Sequence, residues 1–210
     1  MKKRFALLMV AILLLSMGAG TTYAKYVKQD KLEGSVTIKA SLGSIKLVEH
    51  QALRQADGSY ELIDNQETDK NTYILLPGLD VDKDPTVHIK EKTPIDCYVY
   101  LKVVTNLADS YKVQYTVENV WKEISRTTQA GETTIVYVYT AGGSEAVAVD
   151  DTFGTKGTGE IPVLVGNKMI VSQKLDLPAS KVYLNFFAYM FETSSGTTAE
   201  SVYANNTTTP

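Results

Sequence analysis

The sequence predicts an all-β protein built as an antiparallel β-sandwich, and three observations carry that expectation. Short runs rich in Val, Ile, Tyr, Phe and Thr recur from residue 35 to residue 191, most of them bounded by turn residues. Helical periodicity is scarce, and strands do not alternate regularly with helices, which argues against a parallel α/β sheet. The 210 residues are 44% hydrophobic and 21% charged, with one cysteine and two histidines. That composition is too apolar for intrinsic disorder and too poor in cysteine for a disulfide scaffold. A net charge of −3 speaks against a nucleic-acid partner.

The first segment stands apart. Lys2, Lys3 and Arg4 precede an apolar run of 11 residues at 5–15, FALLMVAILLL, and then the small residues Ser16, Gly18, Ala19 and Gly20 and the ending Thr22-Tyr23-Ala24. A basic start, an apolar stretch and a small-residue end are the order of a secretory signal peptide. As a helix the apolar run reaches about 16 Å, well short of a hydrocarbon core about 30 Å thick, so a removable signal at 1–24 is expected rather than an anchor. Cleavage after Ala24 leaves 25–210, in which 18 basic residues face 24 acidic ones, a net charge of −6. With Cys97 as its only cysteine this domain forms no internal disulfide, and its stability must come from packing.

The strands follow in order. Residues 35–48 alternate, with Val36, Ile38, Ala40 and Leu42 on one side, until Gly43-Ser44 interrupts the pattern. Further strands are expected at 60–63, 86–89, 97–104, 112–117, 133–139, 161–165, 169–171 and 182–191. Short helical turns are expected at 51–55 and 167–173 alone. Asp57-Gly58, Pro77-Gly78, Gly142-Gly143 and the glycine-rich 154–159 mark loops. The expected organisation is a signal peptide at 1–24, an N-terminal segment at 25–34, a sandwich at 35–192 and a disordered tail at 193–210, the last nearly all small and polar.

Catalytic chemistry is difficult to assemble from these residues. His50 and His88 lie 38 positions apart, outside any metal-ligand motif, and are expected as ordinary polar strand residues. Cys97 opens an alternating strand on the same face as Val99, Leu101 and Val103, with no basic cluster to activate it, and reads as a buried structural thiol. Asp80, Asp82 and Asp84, with Glu91 at the twelfth position, have the alternating oxygen ligands that suit calcium. Pro85 stands where an EF-hand needs glycine, so only a looser calcium site at Asp80, Asp82 and Asp84 is left to weigh against a solvated acidic turn. The segment 154–159 lacks the Lys-Ser/Thr pair and helix of a phosphate cradle. No catalytic residue, enzyme activity or cofactor is expected. The 13 tyrosines, many of them in strands, suit sheet surfaces that face water or another subunit.

Residues Gly18-Ala-Gly-Thr-Thr-Tyr-Ala24 resemble the signal peptides of the TasA/camelysin family of Gram-positive bacteria, which a dedicated SipW-type signal peptidase removes. Ile74-Leu-Leu-Pro-Gly78 resembles that family's Leu-x-Pro-Gly turn. Residues 36–47 are similar to its first long strand, 86–104 to the paired strands that follow, and 182–191 to its closing strand. Ala188-Tyr-Met190 stands where the family usually has Ala-x-Gln. The resemblance covers most of residues 1–193. It implies a jelly-roll-like β-sandwich and a secreted structural subunit of an extracellular biofilm matrix, placed in the matrix or at the cell surface. Such subunits form fibres when the N-terminal segment of one adds as a strand to the next. On this sequence the resemblance implies a donor at 25–31, beginning at Lys25, with Tyr26 and Val27 as its apolar anchors. The implied partners are the SipW-type peptidase and further copies or matrix components, with no nucleic acid and with the membrane only through the uncleaved signal. Some camelysin relatives are classed as metallopeptidases, but no zinc-ligand motif supports carrying that activity over. A secreted module that binds carbohydrate or a surface through exposed tyrosines remains the alternative.

Overall fold

The computed structural model describes residues 28–31, 45–68, 70–89, 95–149, 159–178, 181–193 and 195–207. Thr22, Tyr23, Ala24, Lys25, Tyr26, Val27, the first part of the strand expected at 35–48, Glu91 and most of the loop 154–159 lie outside the described residues.

In chain order the strands are β1 (Lys28–Lys31), β2 (Ile45–Arg54), β3 (Tyr60–Thr68), β4 (Val81–Asp82), β5 (Thr86–Ile89), β6 (Cys97–Thr105) and β7 (Val113–Val117). They continue as β8 (Trp121–Gln129), β9 (Glu132–Tyr139), β10 (Ala148–Val149), β11 (Glu160–Pro162), β12 (Leu164–Val171) and β13 (Leu184–Glu192), and one helix, α1 (Ala199–Thr207), follows. The protein is all-β, and every described pairing is antiparallel. One sheet has the order β1-β13-β6-β9-β8, with β10 also paired to β6; a second is β11-β5-β2-β3; a third is β4-β12-β7.

The core sits where alternation places it. In β6, Cys97, Val99, Leu101 and Val103 are buried on one face, as their spacing predicts, and they meet Phe186, Ala188 and Met190 of the adjacent β13. Ile45 and Leu47 of β2, Val87 and Ile89 of β5 and Ile161 of β11 cover this face from the second sheet. Each such side chain fully removed from water is worth about 1.5–3 kcal/mol. The third sheet adds Val81, Met169 and Val171 to a smaller cluster that Tyr60 of β3 completes. Trp121 ties β8 to the second sheet, donating its indole N–H to the Pro162 carbonyl at 2.8 Å.

The structure corrects four expectations. Residues 51–54 and 167–171 are strand rather than helical turns, because β2 continues through a register shift at His50/Gln51 to pair with β3, and β12 pairs with β7. Trp121–Gln129 is a strand the sequence did not announce: it is polar apart from Trp121 and Ile124, and it forms the outer edge of the first sheet beyond a two-residue turn at Ala130-Gly131. The tail expected to be disordered over 193–210 contains α1. Its Ala199, Val202 and Tyr203, spaced i, i+3, i+4, lie against Tyr100, Val136, Val138, Tyr189 and Phe191 on the far face of the first sheet. Thr198 caps this helix, its hydroxyl accepting from the Ser201 N–H at 3.3 Å, and the Tyr100 hydroxyl donates to the Ala199 carbonyl at 2.8 Å. The tyrosines expected to face water or a partner are therefore, at Tyr100 and Tyr189, covered by the chain's own C-terminal helix.

Val202→Asp sets a carboxylate into that aromatic contact and is expected to cost about 2–4 kcal/mol of stability. Tyr100→Phe, which removes only the bonded hydroxyl, should cost about 1 kcal/mol. Urea denaturation reads both, and a midpoint unmoved by either substitution contradicts the docking of α1.

Candidate functional site

Two features stand out. The first is an edge. The two outer strands of the first sheet differ in kind: β8 carries Lys122, Glu123, Arg126 and three hydroxyl residues, the usual protection of a free edge. On the other side the outer strand is the short β1, and beneath it lies β13, LNFFAYMFE, among the most apolar strands in the chain. Four residues of β1, KQDK, pair with it, in the register Lys28↔Met190, Gln29↔Tyr189, Asp30↔Ala188 and Lys31↔Phe187. A polar strand adds no apolar area of its own; what it contributes is backbone pairing.

The second is a buried polar cluster. Glu49 is in phase with Ile45 and Leu47 on β2 and therefore points inward, where it is 2% exposed; Lys83, in phase with Val81, is 5% exposed. The Lys83 ammonium donates to Glu49 Oε2 at 2.7 Å and to Oε1 at 2.9 Å. Asn71 Nδ2 and the Tyr73 hydroxyl donate to the same Oε1, at 2.8 and 2.9 Å. Asn71 is held at both ends, since Nδ2 also donates to the His50 carbonyl at 2.8 Å and Oδ1 accepts from the Ala52 N–H at 2.9 Å. Lys83 Nζ lies 5.6 Å from the Tyr73 ring centre and 5.7 Å from that of Phe186. Burial, and then the charge on Glu49, push the Tyr73 hydroxyl far above its ordinary pKa, so it stays protonated and acts as a donor. Asn71, Tyr73 and Lys83 also line a cleft of about 700 Å³.

Next to this cluster Asp84 accepts from the His50 backbone N–H at 3.0 Å and meets His50 Nδ1 at 2.5 Å. That hydrogen bond, aided by the Asp84 charge and opposed by burial, raises the His50 pKa above its ordinary 6.5.

The expected residues fall out as follows. Asp80, Asp82 and Asp84 do not converge: Asp80 Oδ1 accepts from the Val171 N–H at 3.1 Å, Asp82 faces Lys168 Nζ at 3.7 Å, and Asp84 holds His50. Among the described residues no three His, Cys, Asp or Glu side chains come together as metal ligands. His88 lies 3.6 Å from Glu160 across the β5–β11 pair. Cys97 is fully buried; its Sγ contacts the Ile95 carbonyl at 3.3 Å, and burial pushes the thiol up to about 12. A second cleft, of about 540 Å³, lies between β7, β8 and β9, lined by Tyr115, Arg126, Tyr137 and threonines, with Arg126 clamped by Glu123 at 2.6 and 2.9 Å. Among the described residues no helix is long and apolar enough to cross a membrane.

Sequence reasoning missed Glu49, Asn71 and Lys83. The signal was present as charged residues at inward-phased positions, Glu49 after Ile45-x-Leu47 and Lys83 after Val81. Comparison with family models, with curated proteins and with solved structures finds no match to this chain.

Two outcomes follow from the geometry. Because its folded pKa is raised, protonated His50 stabilises the fold below its ordinary pKa, and that contribution disappears as pH rises through the raised value. The urea midpoint is therefore expected to fall as pH rises above the ordinary histidine value of 6.5, and His50→Gln should flatten that slope; an unchanged slope contradicts the pairing. Cys97 should resist thiol reagents in the native protein and react only at the rate of unfolding.

Proposed function

We propose that this chain is a secreted structural subunit of an extracellular matrix that assembles by strand addition at the β13 edge. In this reading the segment 1–24 directs export, a SipW-type peptidase releases the mature chain after Ala24, and the jelly-roll-like family fold supplies the sandwich. The single observation that carries the proposal is the β1–β13 pairing, in which a short polar N-terminal strand covers the edge of a long apolar one. Such an edge, once free, is a template for another chain. The 13 residues between Lys31 and Ile45 span up to about 45 Å when extended. They are long enough for the same strand to lie on its own sheet or on the sheet of a neighbour. Passed from each copy to the next, that contact is heterologous and builds filaments rather than closed dimers.

Asp30 and Ala188 stand opposite each other in the register. Across an antiparallel pair, opposed Cα atoms lie about 4.5–5.5 Å apart, within the range a disulfide bridges. Two variants of the processed chain, Asp30→Cys and Ala188→Cys, are mixed under assembly conditions and oxidised. Strand addition between copies predicts a disulfide between the two different chains together with fibres by electron microscopy, both abolished by deleting 25–31. If no mixed disulfide forms and the chain stays monomeric over a wide range of concentration, salt and pH, assembly through this edge is wrong.

A further inference from the structure

The Glu49 cluster holds more than an ion pair requires. Lysine and glutamate alone would satisfy each other; here a carboxamide is fixed beside them, with its nitrogen rather than its oxygen turned to the carboxylate. Asn71 Nδ2 meets two acceptors, Glu49 Oε1 and the His50 carbonyl, while Oδ1 meets a donor, the Ala52 N–H. Turning the amide over would set acceptor against acceptor and donor against donor, so the network fixes its orientation. Lys83 Nζ and Asn71 Nδ2 share Glu49 Oε1 as a common acceptor, at 2.9 and 2.8 Å. The amine is almost wholly buried, at 7% side-chain exposure, and its carboxylate partner is at 1%.

We propose that Lys83 and Asn71 join in an intramolecular isopeptide bond, with Glu49 carrying the proton between them. Glu49 takes a proton from Lys83 Nζ, which leaves the nitrogen with a free electron pair. Nζ attacks Asn71 Cγ, and the charge that develops on Oδ1 is held by the Ala52 N–H, already aimed at that oxygen. The proton on Glu49 passes to Nδ2 and the Cγ–Nδ2 bond breaks. Glu49, a carboxylate again, takes the second proton from Nζ and hands it to the departing ammonia, which leaves as ammonium through the cleft that Asn71 and Lys83 line. One amide is exchanged for another, so no oxidant, metal or cofactor takes part. Fixing amine and carboxamide on one carboxylate makes the reaction effectively unimolecular. The Tyr73 and Phe186 rings flank the amine, and the Tyr73 hydroxyl orients the carboxylate.

The bond closes a ring over 71–83, which contains the Pro77-Gly78 turn, and fixes that segment beneath β2. In a chain whose only cysteine is buried and unpaired, it is a covalent brace of the kind a disulfide provides elsewhere. It forms within one chain and does not depend on the assembly proposed above; a monomeric chain carries it equally.

Mass spectrometry of the purified full-length protein decides the matter. The expected chain is lighter than its sequence by one ammonia, and trypsin leaves Lys83 uncut. Cleavage before aspartate separates Asn71 from Lys83 at Asp80 and Asp82, yet should leave the two pieces covalently joined. Glu49→Gln and Lys83→Arg, each checked for folding by circular dichroism, should both restore the full mass and release the pieces separately; the second retains the buried cation and so keeps the test sound if the first fails to fold. A wild-type chain that keeps its full mass after prolonged incubation overturns the proposal. Loss of ammonia without joined peptides also overturns it, since that is a succinimide at Asn71 alone.

Discussion

The pairing of β6 with β13 is the constraint on which the rest of the structure depends. Their register is unbroken from Leu184↔Thr105 to Glu192↔Cys97, and it places apolar side chains on both faces. Val99, Leu101, Val103, Phe186, Ala188 and Met190 lie on one side, and Tyr100, Tyr189 and Phe191 on the other. An antiparallel sheet ordinarily leaves one face wet; this one cannot. The second sheet covers the first face and α1 the second, which is why a C-terminal segment of unpromising composition is nevertheless ordered. The tyrosine hydroxyls accommodate this arrangement, since Tyr100 carries its polar tip to the helix backbone at Ala199 and keeps its ring buried.

The strands that make up this core were legible in the sequence because period-2 alternation is a direct consequence of the pleat. The spacing of Cys97, Val99, Leu101 and Val103 is by itself enough to assign them to one face. What was illegible has physical reasons. β8 contributes little apolar surface, so it carries no pattern to read; its partner β9 and the positive-φ turn at Ala130-Gly131 make it a strand. The helix α1 buries two residues in nine, Ala199 and Val202, with Tyr203 half-buried beside them, below what periodicity can distinguish from chance. The aspartate triplet misled because alternate spacing suggests convergence. Along a strand, residues two apart are separated by about 7 Å, so alternate carboxylates reach separate partners unless a loop folds them together. Asp80, Asp82 and Asp84 bind β12 backbone, Lys168 and His50 instead.

Glu49 shows the opposite failure. A carboxylate at an inward position costs several kcal/mol of desolvation unless it is paired and fully bonded. Glu49 meets that condition with Lys83, Asn71 and Tyr73, and among the described residues no buried side-chain polar atom lacks a partner. A hydrophobic residue of similar size would fill the same space at less cost, so burial alone does not account for the cluster. Its members come from β2, from the segment after β3 and from the segment just after β4, three pieces that no strand pairing joins all together. A single carboxylate therefore fixes their relative positions, and its chemistry, an amine and an amide on one oxygen, goes beyond positioning.

The two features meet in β2. On the assembly proposed here, a donated β1 lies on the sheet of a neighbouring copy while its own chain continues through residues 32–44 into Ile45. Any pull along a filament thus enters the sandwich at the start of β2. That strand is held in shear by β5 along Ile45–Val48 and by β3 from Glu49 onward, and the pairing with β3 itself shifts register two residues further on, at His50/Gln51. Between Val48 and Gln51 the strand therefore passes from one ladder to the other and shifts register. It is there that Glu49 inserts its carboxylate beneath the sheet, that Asp84 holds both the backbone N–H and the ring of His50, and that Asn71 bonds the His50 carbonyl and the Ala52 N–H. Side chains from the segments after β3 and β4 thus replace the pairing that the shift removes. A covalent link between Asn71 and Lys83 joins two of those segments at the point where load first reaches the core.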